Sequence, residues 1–561
     1  MDWDCVNDPH NLDFIEEAAN KFIQHIENES KIAFLVDVDM DGFSSSALLI
    51  NYIRMQQQYG DWGDYDPELV PIFHRDKTHG LADTEVMRRL RDEILPDLLV
   101  IPDASGTDSQ YQALTDLDID IIVLDHHDMV ERGDGDKVIV VNNQQSEKYT
   151  NKNLSGVGVV WQFCRVLDEK LTLVCADRWL DLVAIGNVGD VMDMRSPETR
   201  FLVTQGLQND HINSYFLQFK KFTDYSMRDK DYCPHVVSFN IAPLFNAVCR
   251  FGDFKEKEFL FNALLDNMAG TKVNNGKRGH EDEAVDLVEE ACRLATNTKS
   301  RQDRRKNKLV EMIETVISEE GRIKDKVLVL AFDDFEEEYR ALSGLVAGTL
   351  ADIYQRPVIL TFKKGDDYIG SLRVNGTNPA YENFKDQCNA SGYCTFASGH
   401  QSAAGIGIKG DCVEKLQEYF NERYKDIDSE VYYDVDFIID ANDPALPDLI
   451  AELAPLKDIY GKGLEEPLIA VTNVKIGQSN TSLMGAKKTT LGITLPNMKF
   501  INFKSSREEY DSLRPPYNGQ VEQFYVATVI GKEPELNVWG NNCTPQLKIE
   551  DYHIEGSVFD F

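Results

Sequence analysis

Three carboxylates fall within five residues at Asp37-Val38-Asp39-Met40-Asp41, directly after the apolar run IAFLV. If the strand continues through them, a period of two puts all three on one face at its carboxyl end. Two carboxylates about 6 Å apart repel by roughly 3 kcal/mol at an effective dielectric of 20, so three together require a cation. Gly42 lets the chain turn, and Ser44–Ser46 are expected to cap a following helix. A helix–loop–helix calcium site fits less well, because a strand precedes and the twelfth-position Glu is missing. Three further sites close apolar runs: Asp103 after LLVIP, Asp125-His126-His127-Asp128 after IDIIVL, and Asp190 after LVAIGNVG. In a parallel sheet such positions converge on one rim. Imidazole among carboxylates is a donor mixture suited to pairs of Mn2+ or Mg2+ ions.

The elements that must hold these residues are readable from periodicity. Strands are predicted at Ile32–Asp39, Leu69–Phe73, Asp97–Pro102, Ile119–Leu124 and Val138–Val141, with helices such as Ser44–Gln57 and Asp83–Ile94 between them. That alternation implies an α/β fold with a doubly wound parallel sheet. Glu281–Glu320 is highly charged and helical in pattern, as a linker helix would be. A second mixed α/β segment spans about Lys326–Tyr424. Short alternating runs from about Tyr432 predict a small antiparallel barrel.

Composition limits the function classes. A chain of 561 residues exceeds one ordinary core and implies three or four domains. With 42% hydrophobic and 27% charged residues it is a folded, water-soluble type. No apolar stretch is long enough for a membrane span, and the acidic N-terminus is not a signal peptide. Ten scattered cysteines without a C-x-x-C pair argue against a zinc ribbon or a disulfide framework, and for a reducing, cytoplasmic setting. The formal charge of −37 should repel nucleic acid, unless divalent cations or a local basic groove supply the positive charge.

Taken in order, DVDMDG, the Asp103 site, LDHHD and the Asp190 site resemble the four motifs of the DHH phosphoesterase superfamily. His79-Gly80-Leu81 after Arg75, LSGVGV (Leu154–Val159), and Asn246-Ala247 with Arg250 are similar to segments of its RecJ single-strand-specific exonucleases. So are GSLR (Gly370–Arg373), SGHQSAAG (Ser398–Gly405) and NVWGNNCTPQLKI (Asn537–Ile549). The resemblance covers about residues 30–555. It implies a DHH catalytic domain at 1–215, the helical remainder and linker helix at 216–325, a DHH-associated clamping domain at 326–428, and an oligonucleotide-binding (OB-type) barrel at 429–561. The chain is expected to lack the further interaction domain of longer relatives.

The same resemblance implies two Mn2+ or Mg2+ ions held by Asp37, Asp39, Asp41, Asp103, His126 and Asp190. Asp39, Asp103, His126 and His127 would be catalytic, with His127 a ligand or an orienting group. Arg75, Arg250, Ser371, Arg373, Gly399 and His400 would bind substrate phosphate; an interdomain ion pair is the competing role for Arg250 and Arg373. Among aromatics, Phe500, Phe503, Tyr525 and Trp539 are candidates to stack on bases, with core packing the competing role. The implied activity is 5′→3′ hydrolysis of single-stranded DNA to mononucleotides in recombination, repair or replication, by a monomer partnered by a single-strand-binding protein or a helicase. Two other readings are a phosphodiesterase of short oligoribonucleotides or cyclic dinucleotides, and a scaffold built on a decayed core. SGH replaces the two glycines usual before this histidine, VNNQ (Val141–Gln144) stands where Asn-Pro is common, and Asp37 replaces the histidine of pyrophosphate-cleaving relatives.

Overall fold

The structure, a computed structural model, describes residues 2–74, 79–128, 136–222, 232–333, 336–374, 378–427, 432–485, 488–503, 505–515, 521–539 and 542–560. The chain divides into two compact units, residues 1–295 with 435–561, and residues 296–434. Among the described residues no helix is long and apolar enough to cross a membrane.

The first unit is organised on five parallel strands: β1 (Lys31–Val36), β2 (Glu68–Phe73), β3 (Leu98–Pro102), β4 (Asp120–Asp125) and β5 (Val138–Asn142). Their order is β2-β1-β3-β4-β5, with Ile32 opposite Leu98 and Leu98 opposite Asp120. Each strand is apolar on both faces, which is why its sequence reads as a continuous run. Phe34, Val36, Leu98, Val100, Ile122 and Leu124 point into one core. Their neighbours Ala33, Leu35, Leu99, Ile101, Ile121 and Val123 point into the other. The first core is closed by α1 (Ile15–Glu27), α2 (Met40–Tyr59), α5 (Gly156–Lys170) and α6 (Leu180–Gly189). The second is closed by α3 (Thr84–Arg89) and α4 (Asp108–Thr115). The sheet is thus doubly wound as expected. The chain leaves β1 toward β2 on one side and returns to β3 on the other, so the crevice lies beyond Val36 and Pro102.

Three local expectations are corrected. β1 ends at Val36, so Asp37, Asp39 and Asp41 do not share a strand face. Asp39 is the cap of α2, accepting from the backbone N–H of Asp41 (3.1 Å) and Gly42 (3.3 Å), whereas Ser44–Ser46 are buried inside that helix. LVAIGNVG, read as a run ending at the rim like the strands, is α6; a helix buried all round shows the same unbroken apolarity as a central strand.

The predicted linker helix runs from Leu287 to Glu319, after a short pairing of Ala284–Asp286 with Lys272–Asn274. The second unit holds a five-stranded sheet. Leu328–Phe332 pairs parallel with Val358–Lys364; Asp367–Arg373, Ala403–Lys409 and Cys394–Gly399 follow antiparallel. C-terminal residues of the first unit form seven strands in one mixed sheet, from Phe437–Asp440 at one edge to Thr481–Met484 at the other. Two of its pairings are parallel, and among the described residues no pairing joins its edges into the expected antiparallel barrel. Alternation identifies strands but carries neither their partners nor closure. The long strand Glu522–Trp539 shifts register against Asn542–Asp560 at three places.

Candidate metal centre

Three of the four sequence sites leave the sheet at its carboxyl rim, and the fourth arrives from a helix. Asp37 follows β1, Asp103 follows β3, and Asp125 ends β4 with His126 and His127 beyond it. Asp190 caps the C-terminus of α6. Asp103 sits at φ 60°, a left-handed turn that aims its carboxylate back across the rim. His126 Nε2 lies 3.2 Å from Asp103 Oδ1, 3.3 Å from Asp190 Oδ2 and 3.8 Å from Asp41 Oδ2. Among the described residues three overlapping sets of ligand atoms emerge here, each within 4.8 Å: Asp103, Asp125, His126 and His127; Asp41, His126 and Asp190; and Asp37, Asp39 and Asp103.

Asp41 is held by the N-terminus of α5. Its oxygens accept from Ser155 Oγ (3.0 Å), Gly156 N–H (2.6 Å) and Val157 N–H (3.1 Å). A helix N-terminus favours such an anion, and one of about four lone-pair positions is left for another partner. Glycine permits the approach: a Cβ on Gly156 would stand 2.5 Å from Asp103 Cβ, and one on Gly186 would stand 2.5 Å from Asp41 Oδ1. This accounts for LSGVGV physically.

Electrostatics press the cluster toward neutrality. Burial, then the charges of Asp41 and Asp39, holds Asp103 far above the ordinary carboxylate range and Asp190 at about 8. Burial and Asp37 raise Asp39 as well, while burial lowers His126. Burial opposes protonation of His127, yet its hydrogen bond to Asp125 (2.8 Å) brings it to about 9. Asp125 also accepts from the backbone N–H of His126 (2.8 Å), so it orients the ring of His127 and the main chain of His126. Among the described residues, the buried atoms Asp37 Oδ1, Asp103 Oδ1 and His126 Nε2 make no directed hydrogen bond. Crowded carboxylates, a neutral imidazole and undirected lone pairs are what divalent cations would satisfy.

Three residues at this site were not singled out from the sequence as functional. His79 Nδ1 lies 2.6 Å from Asp37 Oδ2. His74, fully buried after β2, faces Asp37 Oδ1 at 3.6 Å and Asp83 Oδ2 at 3.3 Å. Lys257 Nζ donates to the His74 carbonyl at 2.7 Å. A lone histidine after a strand carries no signal in sequence; only the pairing with Asp37 marks it.

The remaining candidates divide. Arg250 reaches the centre, its guanidinium 3.6 Å from Asp39. Arg75 lies outside the described residues, as does the Trp539 side chain. Ser371, Arg373, Gly399 and His400 belong to the second unit. There Ser371 Oγ pairs with Ser343 Oγ (2.9 Å), Arg373 donates to the Leu372 carbonyl (2.7 Å), and Gly399, at φ 123°, opens the exposed turn carrying His400. Phe500 is core, and Tyr525 packs half-buried against it. Phe503 is 54% exposed and lines a cleft of about 680 Å3 with Tyr460, Glu466 and Leu536.

The chain has relatives among known proteins. The model of the DHH family, N-terminal domain, matches residues 31–187. The chain is 34% identical over 559 residues to a Bacillus subtilis protein named as an SPbeta prophage-derived single-strand DNA-specific exonuclease, covering 97% of this chain and 91% of that one. Single-stranded-DNA-specific exonuclease RecJ of the same organism is 24% identical over 566 residues, covering 99% of this chain and 65% of RecJ. The crystal structure of RecJ in complex with Mn2+ from Thermus thermophilus has a TM-score of 0.66 at 18% identity, covering 97% of this chain and 72% of that one. Its complex with Mg2+ gives 0.62 at 16% identity, covering 96% and 70%. The chain therefore belongs to the DHH family, in its RecJ-type branch of hydrolases.

Proposed function

We propose that the chain is a metal-dependent exonuclease that degrades single-stranded DNA from the 5′ end to mononucleotides. The observation that carries the reading is the convergence of Asp37, Asp39, Asp41, Asp103, His126 and Asp190 into two of the three overlapping ligand sets. One set is Asp41, His126 and Asp190, the other Asp37, Asp39 and Asp103, with Asp103 also 3.2 Å from His126. Mn2+ or Mg2+ bound there supplies an activated water and Lewis acidity toward phosphate oxygens. Names and metal-bound structures among the relatives support both the polymer and the ions.

The chain's own residues orient and clamp. Asp125 fixes the ring of His127, and α5 fixes Asp41. Arg250, beside Asp39, is the candidate clamp for the scissile phosphate, with Arg75 a second. Ser371, Arg373, Gly399 and His400 are proposed to bind substrate phosphate as well. Phe503 and Trp539 are proposed to stack on bases of the substrate. The setting is DNA recombination, repair or replication in the cytoplasm, with a single-strand-binding protein or helicase delivering substrate to a monomer.

Three substrates with Mn2+ test this: a 5′-labelled single strand, the matching duplex, and a dinucleotide. The labelled strand should yield labelled mononucleotide first, with the duplex and dinucleotide slower. Dinucleotide turnover as fast as the strand would instead assign the chain to short oligoribonucleotides or cyclic dinucleotides.

A further inference from the structure

Asp41 is held by the backbone of α5, and Asp39 by the backbone N–H groups of Asp41 and Gly42. Asp37 is met by a side chain: His79 Nδ1 lies 2.6 Å from its Oδ2. An ionised carboxylate only accepts, so the imidazole donates from Nδ1. The other oxygen, Oδ1, faces His74 Nε2 at 3.6 Å, too far for a hydrogen bond. Among the described residues Oδ1 makes none, so Asp37 has one oxygen held and one open.

The His79 side chain is 55% exposed, so it does not fill core volume. Its backbone, by contrast, is fixed. Gly80 takes φ 56°, and a Cβ there would run into the Ser105 carbonyl oxygen. Leu81 N–H donates to that same carbonyl (3.1 Å), and the Leu81 side chain is buried in the second core of the sheet. Ser105 stands two residues beyond Asp103. His79 is thereby anchored on the loop that carries Asp103 while its ring holds Asp37, and both carboxylates belong to the set Asp37, Asp39 and Asp103. Just after β2, His74 is tied as well: Lys257 Nζ donates to its carbonyl (2.7 Å), and Asp83, the cap of α3, lies 3.3 Å from its Nδ1. The physical content of His79-Gly80-Leu81 is thus a donor, a left-handed turn and an anchor.

We propose that His79 is a positioning residue for Asp37: it holds Oδ2 by a donated hydrogen bond and leaves Oδ1 to face a divalent cation shared with Asp39 and Asp103. The proposal rests on the reading of this cluster as a metal centre. Without the donor, the carboxylate is free to turn about its Cβ–Cγ bond, and the open oxygen is no longer aimed. Partners that orient a ligand in this way raise metal affinity without touching the ion. The donor has to sit at the Nδ1 position. Asparagine places an amide N–H there, glutamine carries its amide one bond further out, and alanine has none.

The test is calorimetric titration of the metal-free full chain with Mn2+ alone, on variants whose cooperative melting establishes that they are folded. His79→Ala and His79→Gln should weaken Mn2+ binding by roughly 10–100-fold, and His79→Asn should recover most of that loss. The double variant Asp37→Asn with His79→Ala should bind Mn2+ no more weakly than Asp37→Asn alone, because His79 acts through Asp37. Wild-type affinity in His79→Ala would overturn the proposal, as would an asparagine variant no better than alanine. Additive losses in the double variant would also overturn it, since His79 would then act on the ion directly. Wild-type affinity in Asp37→Asn is a different failure: it would remove the metal-centre reading of Asp37 and this proposal together.

Discussion

At Asp103 the requirements of stability and of metal binding are opposed. Its carboxyl is buried among other carboxylates and held in a left-handed turn, so ionisation there is disfavoured without a cation. Asparagine tolerates the same turn and removes one charge. Asp103→Asn should therefore raise metal-free stability by about 1 kcal/mol, as relief of a strained site commonly does. It should lower cleavage by roughly three decades, since metal-assisted stabilisation is worth several kcal/mol. Melting curves without metal and steady-state rates with Mn2+ check both halves; unchanged cleavage would remove Asp103 from the centre. His74 calls for a different readout, because its ring lies 3.6 Å from Asp37 without being one of the ligands. His74→Asn should weaken Mn2+ binding by roughly 10–100-fold, the usual effect of losing an orienting partner. Calorimetric titration with Mn2+ measures this independently of turnover, and an unchanged affinity would make His74 a packing residue only.

Helix α5 shows how a whole element can serve a single carboxylate. Its first turn gives three hydrogen bonds to Asp41, and Gly156 lies against Asp103 with no space for a methyl group. Gly156→Ala must push the helix end away from both aspartates. The expected result is about 1–3 kcal/mol of lost stability from overpacking. Mn2+ affinity should fall at least as far as in His74→Asn; an alanine variant with wild-type affinity would show that α5 does not set the geometry. This dependence explains what the sequence disclosed. The strands leading to Asp37, Asp103 and Asp125 are legible because their apolar runs stop abruptly at charge. The rim location of those sites then followed from parallel topology alone. The turn at Asp37–Asp41 was misread because alternation cannot distinguish a strand from a capping loop of equal polarity. The role of α6 was hidden because LVAIGNVG is buried on every side. Closure of the C-terminal sheet depends on long-range register, which short alternating runs do not encode.

For the whole molecule, the charge of −37 and the acidic centre act in the same direction: both resist anionic substrate until cations bind. The centre also gives the metal-free protein a pH dependence of definite sign. Asp190 titrates at about 8 in the folded chain against an ordinary 3.8, so the native state keeps a proton that the unfolded chain has released. Its contribution to stability declines as pH rises between those values. His127, at about 9 against 6.5, contributes stability fully below 6.5 and loses it as pH rises through 9. The two trends add, and metal-free protein should melt at a lower temperature at pH 9 than at pH 6. Metal ligation requires the carboxylates ionised, so the same protons compete with Mn2+. The rise in melting temperature on adding Mn2+ should consequently be larger at pH 8.5 than at pH 6. At a hundredfold excess over the dissociation constant a bound ion adds about 2.7 kcal/mol, enough to resolve the trend. Thermal melts across this range, with and without Mn2+, decide the matter. A metal shift that shrinks as pH rises would mean that the ions bind elsewhere than at Asp103, His126 and Asp190.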